Sequence, residues 1–466
     1  MKATNLYRCS NCGYESAKWM GYCSSCSSWN TFEEKEIEGK KKSAVGIGNR
    51  SHKASKPVLR LSEVVSGNSD RIITGIHEFN RVFGGGIVKD SVTIITARPG
   101  AGKSTLLLQV ADDVAAMGYK VVYASGEESE SQIKNRADRI LQSINPNIWV
   151  ISDTSMDHVL SSVVDINPDL VIIDSIQSFT LNAFQGSRAG SPTQTMECAN
   201  ELVQIAKGSD QPRAVILIGQ MTKNDEIAGL RALEHLVDAV FYIEGEDEEE
   251  LRGFLATKNR FGSTGEMGFF SMTEQGMISI DNPSKFFMTK RENGEIVSGS
   301  ALTVIREGSR SIIVEIESLV SNSFTPFPSR IGECLRREQL HTLISVLEQR
   351  GSIPLFNKNV VIKTTGGIKL KEQAVNLSVI MSIVSSVYNQ GIPNDTVFIA
   401  DVGLTGELKK VPSLEGRIRE LDRMGFQKVY VAKNSLVHDL KLSNVEVIEC
   451  KNLYEVILRV FSKPPS

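Results

Sequence analysis

The chain has 466 residues, of which 41% are hydrophobic and 23% charged, and its formal net charge is −3. This length predicts two or three domains, and the composition is that of an ordinary soluble globular protein. The slight negative charge excludes a globally basic surface, so any contact with nucleic acid must come from local patches. No apolar run approaches the roughly 20 residues of a membrane-spanning helix, and the N-terminus lacks the apolar region of a signal peptide. We therefore expect a cytoplasmic protein without a membrane partner.

Four of the seven cysteines stand close together near the N-terminus. Cys9 and Cys12 form one C-x2-C pair, and Cys23 and Cys26 form a second. Two such knuckles supply four thiolates, the ligand set of a closed tetrahedral Zn²⁺ site. A redox dithiol or an iron site is the alternative, but a unit this small needs a metal to fold, which favours zinc. Residues 1–31 are therefore predicted to be a structural zinc finger.

The sequence changes character around and after these cysteines. Inside the zinc module we expect a small aromatic core formed by Trp19, Tyr22 and Trp29. Residues 32–57 are charged and lack apolar periodicity, which indicates a solvated linker. The three remaining cysteines are scattered, which favours buried thiols over disulfides.

A glycine-bearing loop follows a β-branched run and precedes an apolar-periodic segment that predicts a helix. In such a loop backbone N–H groups turn toward a phosphate, and the helix N-terminus adds further unpaired N–H groups. Lys103 can reach the β- and γ-phosphates of ATP, and the Ser104 hydroxyl can ligate Mg²⁺. The usual first glycine of the motif is here Ala97, a small departure that should preserve the loop. The predicted ATP-binding residues are Ala97, Arg98, Pro99, Gly100, Ala101, Gly102, Lys103, Ser104 and Thr105.

Three further strands are predicted to end in polar side chains beside this loop. Asp174 ends a continuously apolar strand, as a Walker B acid does, and is expected to hold Mg²⁺. Glu127 and Glu128 follow another strand, where a carboxylate can polarise the attacking water. The sequence does not separate these two candidates for the general base. Gln220 ends a third strand and can sense the γ-phosphate.

Several short motifs together resemble one family. G-E-E-S at residues 126–129, K-N-R-F-G at 258–262 and T-G-G-I-K at 365–369 lie behind the four-cysteine module. With this order the chain resembles the bacterial RadA/Sms DNA repair family over essentially its whole length. The resemblance implies an α/β fold, with a RecA-type P-loop ATPase core over residues 58–290 and an α+β Lon-protease-like domain over residues 298–466.

The resemblance also assigns residues to a shared site. In RecA-type rings ATP lies between subunits, and a cation from the neighbour neutralises the γ-phosphate, as an arginine finger does. Lys258 and Arg260 are implied in this role, whereas local sequence alone favours a surface basic pair on an edge strand. The family usually has His where this chain has Gln220, and RecA itself has Gln, so the sensor role should survive.

Two aperiodic segments are candidates for DNA contact. Residues 182–192 are rich in glycine and serine, and residues 221–229 follow Gln220. By resemblance to RecA-type proteins these loops face the bore of a ring, where Arg188 and Lys223 would hold phosphates of single-stranded DNA. The alternative is a pair of flexible surface loops.

The Lon-like domain is expected to lack peptidase activity. Lon-type catalysis needs a nucleophilic serine and a lysine base. The matching positions hold Ala374, which has no nucleophile, and Arg417, which stays protonated. The domain is instead expected to pack ring subunits together and to offer basic surface to duplex DNA, through Lys363, Lys369, Lys371, Lys409 and Lys410. The alternative is that these lysines form ordinary solvated faces.

The leading hypothesis is a DNA-dependent ATPase of recombinational repair and the response to DNA damage. It would form a homo-oligomeric ring, hexameric by resemblance, on single-stranded DNA and promote branch migration, with a RecA-type recombinase as partner. Its cofactors would be ATP, Mg²⁺ and Zn²⁺. The alternatives are a non-translocating recombination mediator switched by ATP and, less favoured, an ATP-dependent protease. The zinc module and the C-terminal domain argue against a circadian-clock-type kinase.

Overall fold

The computed structural model describes residues 6–16, 19, 21–26, 28–29, 31–35, 60, 62, 71–208, 211–220, 230–245, 250–291, 295–436 and 440–461. The chain divides into two compact units, Met1–Ser66 and Gly67–Ser466. Within the described ranges, no helix combines the length and the apolar character that crossing a membrane requires.

The N-terminal unit contains a three-stranded antiparallel sheet in the order β2-β1-β3. Its strands are β1 (Leu6–Cys9), β2 (Glu15–Ser16) and β3 (Phe32–Lys35). Because β3 pairs with β1 along its whole length, the ordered module continues into residues that the sequence assigned to the linker. The rest of that predicted linker lies outside the described residues.

The predicted aromatic core of this unit is wrong. Trp19, Tyr22 and Trp29 are all exposed, although Tyr22 and Trp29 pack against each other with ring centroids 5.0 Å apart. The buried cluster instead consists of Cys9, Cys23 and Phe32. A module of this size has too little interior for three large aromatic side chains, so the cysteines themselves fill it.

The first part of the second unit alternates strands and helices. Its elements are β4 (Arg71–Ile72), α1 (His77–Val82), β5 (Ile87–Val88), β6 (Val92–Ala97), α2 (Lys103–Ala116), β7 (Val121–Ser125), α3 (Glu130–Ile140), β8 (Ile148–Ser152), α4 (Met156–Ile166), β9 (Leu170–Asp174), α5 (Pro192–Lys207), β10 (Ala214–Gln220), α6 (Leu230–Leu236), β11 (Ala239–Glu244), β12 (Leu251–Asn259), β13 (Met267–Thr273), β14 (Gly276–Ser279) and α7 (Pro283–Phe286). Short 3₁₀ helices cover Ile176–Ser178 and Asn182–Phe184.

These strands form a nine-stranded sheet in the order β14-β13-β12-β11-β6-β10-β9-β7-β8. The strands from β11 to β8 run parallel, and β12, β13 and β14 extend the sheet antiparallel. The apolar residues of β6, β7, β9 and β10 are buried on both faces because helices cover each side. Register aligns Gln220 with Ala97 and Ser125 with Asp174, so these strands end together at one edge of the sheet. This is the RecA-type α/β core expected from the sequence.

The second part of this unit holds a mixed seven-stranded sheet in the order β17-β18-β16-β15-β19-β22-β23. The elements are β15 (Ser300–Glu307), β16 (Arg310–Asn322), β17 (Arg330–Gly332), α8 (Arg337–Arg350), β18 (Lys358–Thr364), α9 (Asn376–Tyr388), β19 (Thr396–Ile399), β20 (Asp401–Val402), β21 (Leu408–Lys409), α10 (Leu414–Arg423), β22 (Lys428–Ala432), β23 (Glu446–Cys450) and α11 (Leu453–Val460). The helix α9 is buried from Asn376 to Ser385 and forms the centre of the largest apolar cluster.

One ion pair and one backbone hydrogen bond join the two sheets of this unit. The Arg310 guanidinium lies 2.7 Å from the buried Glu78 carboxylate of α1, and Arg81 lies 2.7 Å from Glu266. The backbone N–H of Ser309 also donates to Glu266, at 3.0 Å. Because these carboxylates are buried, each needs its partner, and the turn between β15 and β16 is fixed on the ATPase core.

A second ion pair holds the segment that connects the two sheets. The carboxylate of Glu315 is fully buried and pairs with Arg291. It also accepts hydrogen bonds from the Ser300 hydroxyl and, at 2.7 Å, from the backbone N–H of Thr289. Burial acts to raise the pKa of Glu315, but these donors outweigh it and hold the pKa below its ordinary value.

Candidate functional site

The loop between β6 and α2 has the form of a phosphate cradle. Gly100 and Gly102 adopt positive φ angles of 80° and 96°. The Lys103 ammonium donates to the carbonyl oxygens of Ala97 and Arg98, at 3.0 Å each, and so lies across the loop. Burial lowers the pKa of Lys103, while the nearby carboxylates Asp174 and Glu127 act to raise it.

The packing around the loop accounts for the alanine in the motif. Ala97 is completely buried and belongs to the apolar cluster beneath the sheet. Gly102 has no such freedom, because its φ angle of 96° would strain any residue that carries a Cβ. The side chains of Met272 in β13 and Met277 in β14 lie against Gly102, so these two strands cover the loop.

Asp174 lies beside the loop, and one oxygen of its carboxylate accepts hydrogen bonds from two hydroxyl groups. Ser104 Oγ donates to Asp174 Oδ2 at 2.7 Å, and the phenol of Tyr123 donates to the same atom at 2.6 Å. Burial raises the pKa of Asp174, which these two hydrogen bonds oppose. A hydroxyl and a carboxylate in this arrangement are the pair that holds Mg²⁺ in P-loop proteins, so the residues fit the expected ion.

Tyr123 was not found by the sequence reasoning. It stands in β7 in the run Val-Val-Tyr-Ala-Ser and is completely buried. A buried phenol needs a hydrogen-bond partner, so a tyrosine inside an apolar central strand was the available signal. Burial raises the pKa of Tyr123 well above its ordinary value, so the group acts as a donor to Asp174.

The structure separates the two adjacent glutamates. Glu127 faces the site: its Oε1 accepts from Ser178 Oγ at 2.9 Å and also from the Ser175 hydroxyl. Glu128 points elsewhere and forms a two-point ion pair with Arg136 of α3, with an Nη1–Oε2 distance of 2.7 Å. Glu127 is therefore the carboxylate available to a water molecule beside the phosphate loop.

Gln220 connects this carboxylate to the next segment of the chain. Its side-chain amide lies within hydrogen-bond distance of both oxygens of Glu127. Its backbone is held by Gln177, whose side chain donates to the Gln220 carbonyl at 3.3 Å and accepts from its N–H at 3.4 Å. Residues 221–229, which include the predicted DNA contact Lys223, lie outside the described part of the chain.

Lys258 and Arg260 lie where the parallel strands of the sheet begin, whereas their own phosphate loop lies where these strands end. Lys258 is paired with Val240 in β11, and the Arg260 N–H donates to the Asp238 carbonyl just before that strand. Since Asp238 in turn donates to Val92 at the start of β6, Arg260 is about 16 Å along the sheet from Ala97.

Both cations have partners within the chain. The Lys258 ammonium donates to the carbonyls of Glu234 and Val237, the latter at 2.8 Å. Arg260 pairs with Asp238 at 3.0 Å and keeps more than half of its side chain exposed. The following Gly262 touches Gly84 so closely that a Cβ on Gly262 would lie 2.8 Å from the Gly84 Cα atom. The segment is thus fixed on the core and presents Arg260 outward.

Arg188 is exposed in the segment before α5. The segment is more regular than the sequence suggested, because a 3₁₀ helix covers Asn182–Phe184 and the Ser191 side chain caps α5 by accepting from Gln194 N. Gln194 also donates to the carbonyls of Phe184 and Ser187, at 2.9 and 3.2 Å. The segment is therefore folded back on α5.

The two positions predicted from the sequence to match a Lon-type catalytic pair hold no free nucleophile or base. Ala374 is buried beneath β15 and β19. Arg417 is 1% exposed and forms two hydrogen bonds to Glu372, at 2.7 and 2.5 Å. The predicted basic surface is also mixed in charge, since Lys363 pairs with Glu317 at 3.1 Å.

The N-terminal cysteines form a compact set. Their four Sγ atoms lie within 4.8 Å of one another, with Cys9–Cys26 and Cys12–Cys23 separations of 3.7 and 3.6 Å. A tetrahedral ion with Zn–S bonds of about 2.3 Å would separate its sulfurs by about 3.8 Å. The Thr31 hydroxyl lies 3.1 Å from Cys9 Sγ, within hydrogen-bond distance of this sulfur. The residues therefore fit Zn²⁺.

Comparison with known proteins agrees with both units. A family model described as an AAA domain matches residues 57–226, and one described as a rubredoxin metal binding domain matches residues 7–34. DNA repair protein RadA of Bacillus subtilis is 39% identical over 98% of each chain. DNA repair protein RadA of Listeria monocytogenes is 39% identical over 96% of this chain and 97% of its own.

Two solved structures are similar to part of the chain. The RadB recombinase matches with a TM-score of 0.36 and 21% identity, over 44% of this chain and 98% of its own. A KaiC-like protein of Pyrococcus horikoshii matches with a TM-score of 0.37 and 19% identity, over 45% of this chain and 99% of its own.

The phosphate loop, the buried aspartate beside it and the parallel sheet that carries them define a RecA-type P-loop ATPase with an N-terminal zinc-binding module. The identity over nearly the full length is more specific. The chain belongs to the family of the DNA repair protein RadA.

Proposed function

We propose that the chain is a DNA-dependent ATPase of recombinational repair, which assembles as a ring on single-stranded DNA and drives branch migration. The observation that carries this proposal is the link from Glu127 through Gln220 to residues 221–229. It joins the carboxylate beside the phosphate loop to the segment in which DNA contact is predicted. The names of the relatives supply the connection to DNA repair.

Within one subunit, each residue of the site has a distinct role in ATP hydrolysis. Lys103 binds the β- and γ-phosphates, and the backbone N–H groups of the loop surround them. Ser104 and Asp174 would hold Mg²⁺, which supplies charge neutralisation at the phosphates. Glu127 acts as the general base by orienting a water molecule and accepting its proton. Gln220, hydrogen-bonded to Glu127, moves with it when the γ-phosphate is lost.

The remaining cations act on a neighbouring subunit. Arg260 is about 16 Å along the sheet from its own phosphate loop, so it serves the site of another copy, where it neutralises charge on the γ-phosphate. Lys258 contributes to the same charge neutralisation. This assignment requires a closed assembly in which each copy offers its loop to one neighbour and its cations to the other. We propose a hexamer from the family resemblance.

DNA contacts are assigned to residues 182–192, which follow β9, and to residues 221–229, which follow β10 in the sequence. Arg188 and Lys223 would bind phosphates of single-stranded DNA without reading its sequence, so binding should weaken steeply with salt. The zinc module, predicted over residues 1–31 and extended by β3 to Lys35, would dock a RecA-type recombinase or DNA. The second part of the main unit, residues 298–466, would serve as a Lon-like assembly domain without peptidase activity.

The proposal is tested with the full chain and forked DNA. We expect single-stranded DNA to stimulate ATP hydrolysis, and we expect ATP to drive displacement of an annealed strand; Lys103→Ala should abolish both. Stimulated hydrolysis without displacement would instead support a non-translocating mediator. Degradation of casein that requires ATP would support the protease alternative and contradict the roles given to Ala374 and Arg417.

A further inference from the structure

A buried carboxylate binds two cations at the point where the parallel strands of the ATPase core begin. Asp238 is buried and directly precedes β11. Its Oδ1 atom is shared by the Lys207 ammonium, at 2.7 Å, and the Arg260 guanidinium, at 3.0 Å. Its Oδ2 atom accepts a hydrogen bond from the backbone N–H of Val92, at 3.0 Å. Arg260 has a role in the proposed function, whereas Lys207 has none.

A third cation, Lys258, belongs to the same cluster but is held by backbone oxygens. Its ammonium donates to the carbonyls of Glu234 and Val237. Burial lowers the pKa of Lys258, and the positive charge of Arg260 lowers it further. Because Lys258 is bound to these carbonyls, the two cations on Oδ1 are the direct counter-charges of the buried carboxylate.

The role proposed for Arg260 places a requirement on Asp238. A guanidinium binds phosphate best with two N–H groups at once, so Arg260 gives up its Nη1 contact to Asp238 when it turns fully toward a neighbour's γ-phosphate. A buried carboxylate that loses its only cation is strongly destabilised. With Arg260 as the sole counter-charge, the carboxylate would therefore retain the guanidinium. A second cation on the same oxygen removes this obstacle.

The two cations differ in how firmly the fold holds them. Lys207 is the last residue of α5, directly after the completely buried Ala206, and its charge is favourable at the C-terminal end of a helix. The Arg260 side chain is 57% exposed, while its backbone N–H donates to the Asp238 carbonyl at 3.2 Å. The Arg260 side chain can therefore turn outward while its backbone and Lys207 stay in place.

We propose that Lys207 is a positioning residue for ATP hydrolysis at the neighbouring subunit. It keeps the Asp238 carboxylate neutralised, so that Arg260 exchanges between this carboxylate and the neighbour's γ-phosphate. This inference rests on the role in trans that the proposed function gives to Arg260, and it names the residue that makes the guanidinium available. Lys207 does not itself contact a phosphate, so its loss acts only through Arg260.

The first test is steady-state ATP hydrolysis by the full chain with Mg²⁺ and single-stranded oligothymidine. Lys207→Met keeps the apolar stem of the side chain but removes the charge, and it should lower kcat about tenfold or more at an unchanged KM for ATP. Lys207→Arg keeps the charge and should hydrolyse ATP nearly as fast as the wild type. Lys134→Met breaks an exposed pair with Asp138 and is the matched control, with a rate like that of the wild type.

A mixing experiment then shows on which subunit Lys207 acts. In an equal mixture of Lys207→Met with Lys103→Ala, about half of the intact phosphate loops lie against a neighbour that has Lys207, so the rate per intact loop should rise to about half of the wild-type rate. Mixing Lys207→Met with the double variant Lys103→Ala, Lys207→Met should give no rise. Unchanged thermal unfolding and binding of a fluorescent ATP analogue establish that Lys207→Met is folded; if it is not, Lys207→Gln takes its place.

The inference is overturned if Lys207→Met hydrolyses ATP like the wild type while Arg260→Ala does not. It is also overturned if mixing restores nothing, because the effect of Lys207 would then lie within its own subunit. A Lys207→Arg variant as slow as Lys207→Met would overturn it as well, since the charge would not be what matters. A wild-type chain whose hydrolysis does not respond to DNA would contradict the proposed function, and the mixing result would still decide the inference. Full hydrolysis by Arg260→Ala would contradict the role in trans and, with it, this inference.

Discussion

The side-chain amide of Gln220 donates to both carboxylate oxygens of Glu127, at 2.9 and 2.8 Å. Gln220 ends β10 and Glu127 follows β7, so the contact joins the ends of two strands between which β9 lies. Any movement of Glu127 toward or away from a phosphate must therefore move or break its contact to Gln220, the residue that directly precedes residues 221–229 in the sequence.

The different surroundings of the two glutamates give a direct prediction. Glu127→Gln should reduce ATP hydrolysis by about 10²–10⁴-fold, because the amide cannot accept a proton from water. Glu128→Gln should lower the rate far less, since Glu128 is held by Arg136. Steady-state hydrolysis with single-stranded DNA measures the difference, and binding of a fluorescent ATP analogue controls for intact nucleotide sites. Equal losses in the two variants would show that the general base is wrongly assigned.

The placement of Arg260 predicts complementation between inactive copies. Lys103→Ala and Arg260→Ala should each lose hydrolysis in a homogeneous assembly. When they are mixed in equal amounts and allowed to exchange, roughly a quarter of the interfaces combine an intact loop with an intact neighbouring arginine. We expect a corresponding fraction of the wild-type rate to return, measured as phosphate release. An Arg260 that acted within its own subunit would give no recovery, and Lys103→Ala mixed with the double variant Lys103→Ala, Arg260→Ala is the inactive control.

The hydrogen bond from Tyr123 to Asp174 should affect the binding of Mg²⁺. Tyr123→Phe removes only the hydroxyl, so the fold should persist while the carboxylate loses one of its two donors. A hydrogen bond to a charged group contributes about 1.5–3 kcal/mol, so the Mg²⁺ concentration that supports half-maximal nucleotide binding should rise about tenfold or more. Titration of Mg²⁺ against a fluorescent ATP analogue measures this, and Tyr119→Phe, which leaves Asp174 untouched, is the control. An unchanged midpoint would mean that Tyr123 is only a packing residue.

The buried pair of Glu315 and Arg291 should dominate the stability of the connecting segment. Glu315→Gln keeps the shape but leaves Arg291 without its counter-charge, and breaking a buried pair costs about 3–5 kcal/mol. Asp138→Asn, which breaks an exposed pair with Lys134, should cost less than about 1 kcal/mol. Urea unfolding followed by circular dichroism compares the two.

The pH dependence of this difference has a definite sign. Hydrogen bonds hold the pKa of Glu315 in the folded chain below its ordinary value. The stabilisation is therefore complete above the unfolded pKa of about 4.3 and is lost as the pH falls through the lower, folded pKa. The wild-type chain and Glu315→Gln should approach each other in stability below that range. A difference that stayed constant down to pH 3 would contradict the role of the charge.

Local sequence predicted the parts of the site that lie within one strand-loop-helix unit. The loop of residues 97–105 and the strand ending in Asp174 are of this kind, because the pattern of β-branched residues and glycine specifies them directly. The role proposed for Lys258 and Arg260 came only from the resemblance to a family, because their local pattern favoured a surface basic pair.

Contacts between distant elements were beyond such reasoning. Tyr123 meets Asp174 only because β7 and β9 are neighbours in the sheet, 51 residues apart in sequence. Glu127 and Glu128 are adjacent in the sequence, and the turn after β7 decides which of them faces the site. Arg136, which holds Glu128 away from the site, lies on α3. The aromatic side chains of the zinc module were wrongly predicted to be buried. The sequence does not show that the clustered cysteines fill most of the small interior of this module.

The pairing of Arg417 with Glu372 has a consequence for the peptidase alternative. A lysine placed at position 417 would inherit the same carboxylate and the same carbonyl oxygens from Val304 and Pro412, all of which favour a bound proton. A Lon-type pair of serine and lysine introduced at positions 374 and 417 would therefore lack a neutral amine as long as Glu372 is present. Under the proposed function, Glu372 is thus a third residue, beside Ala374 and Arg417, that opposes peptidase activity.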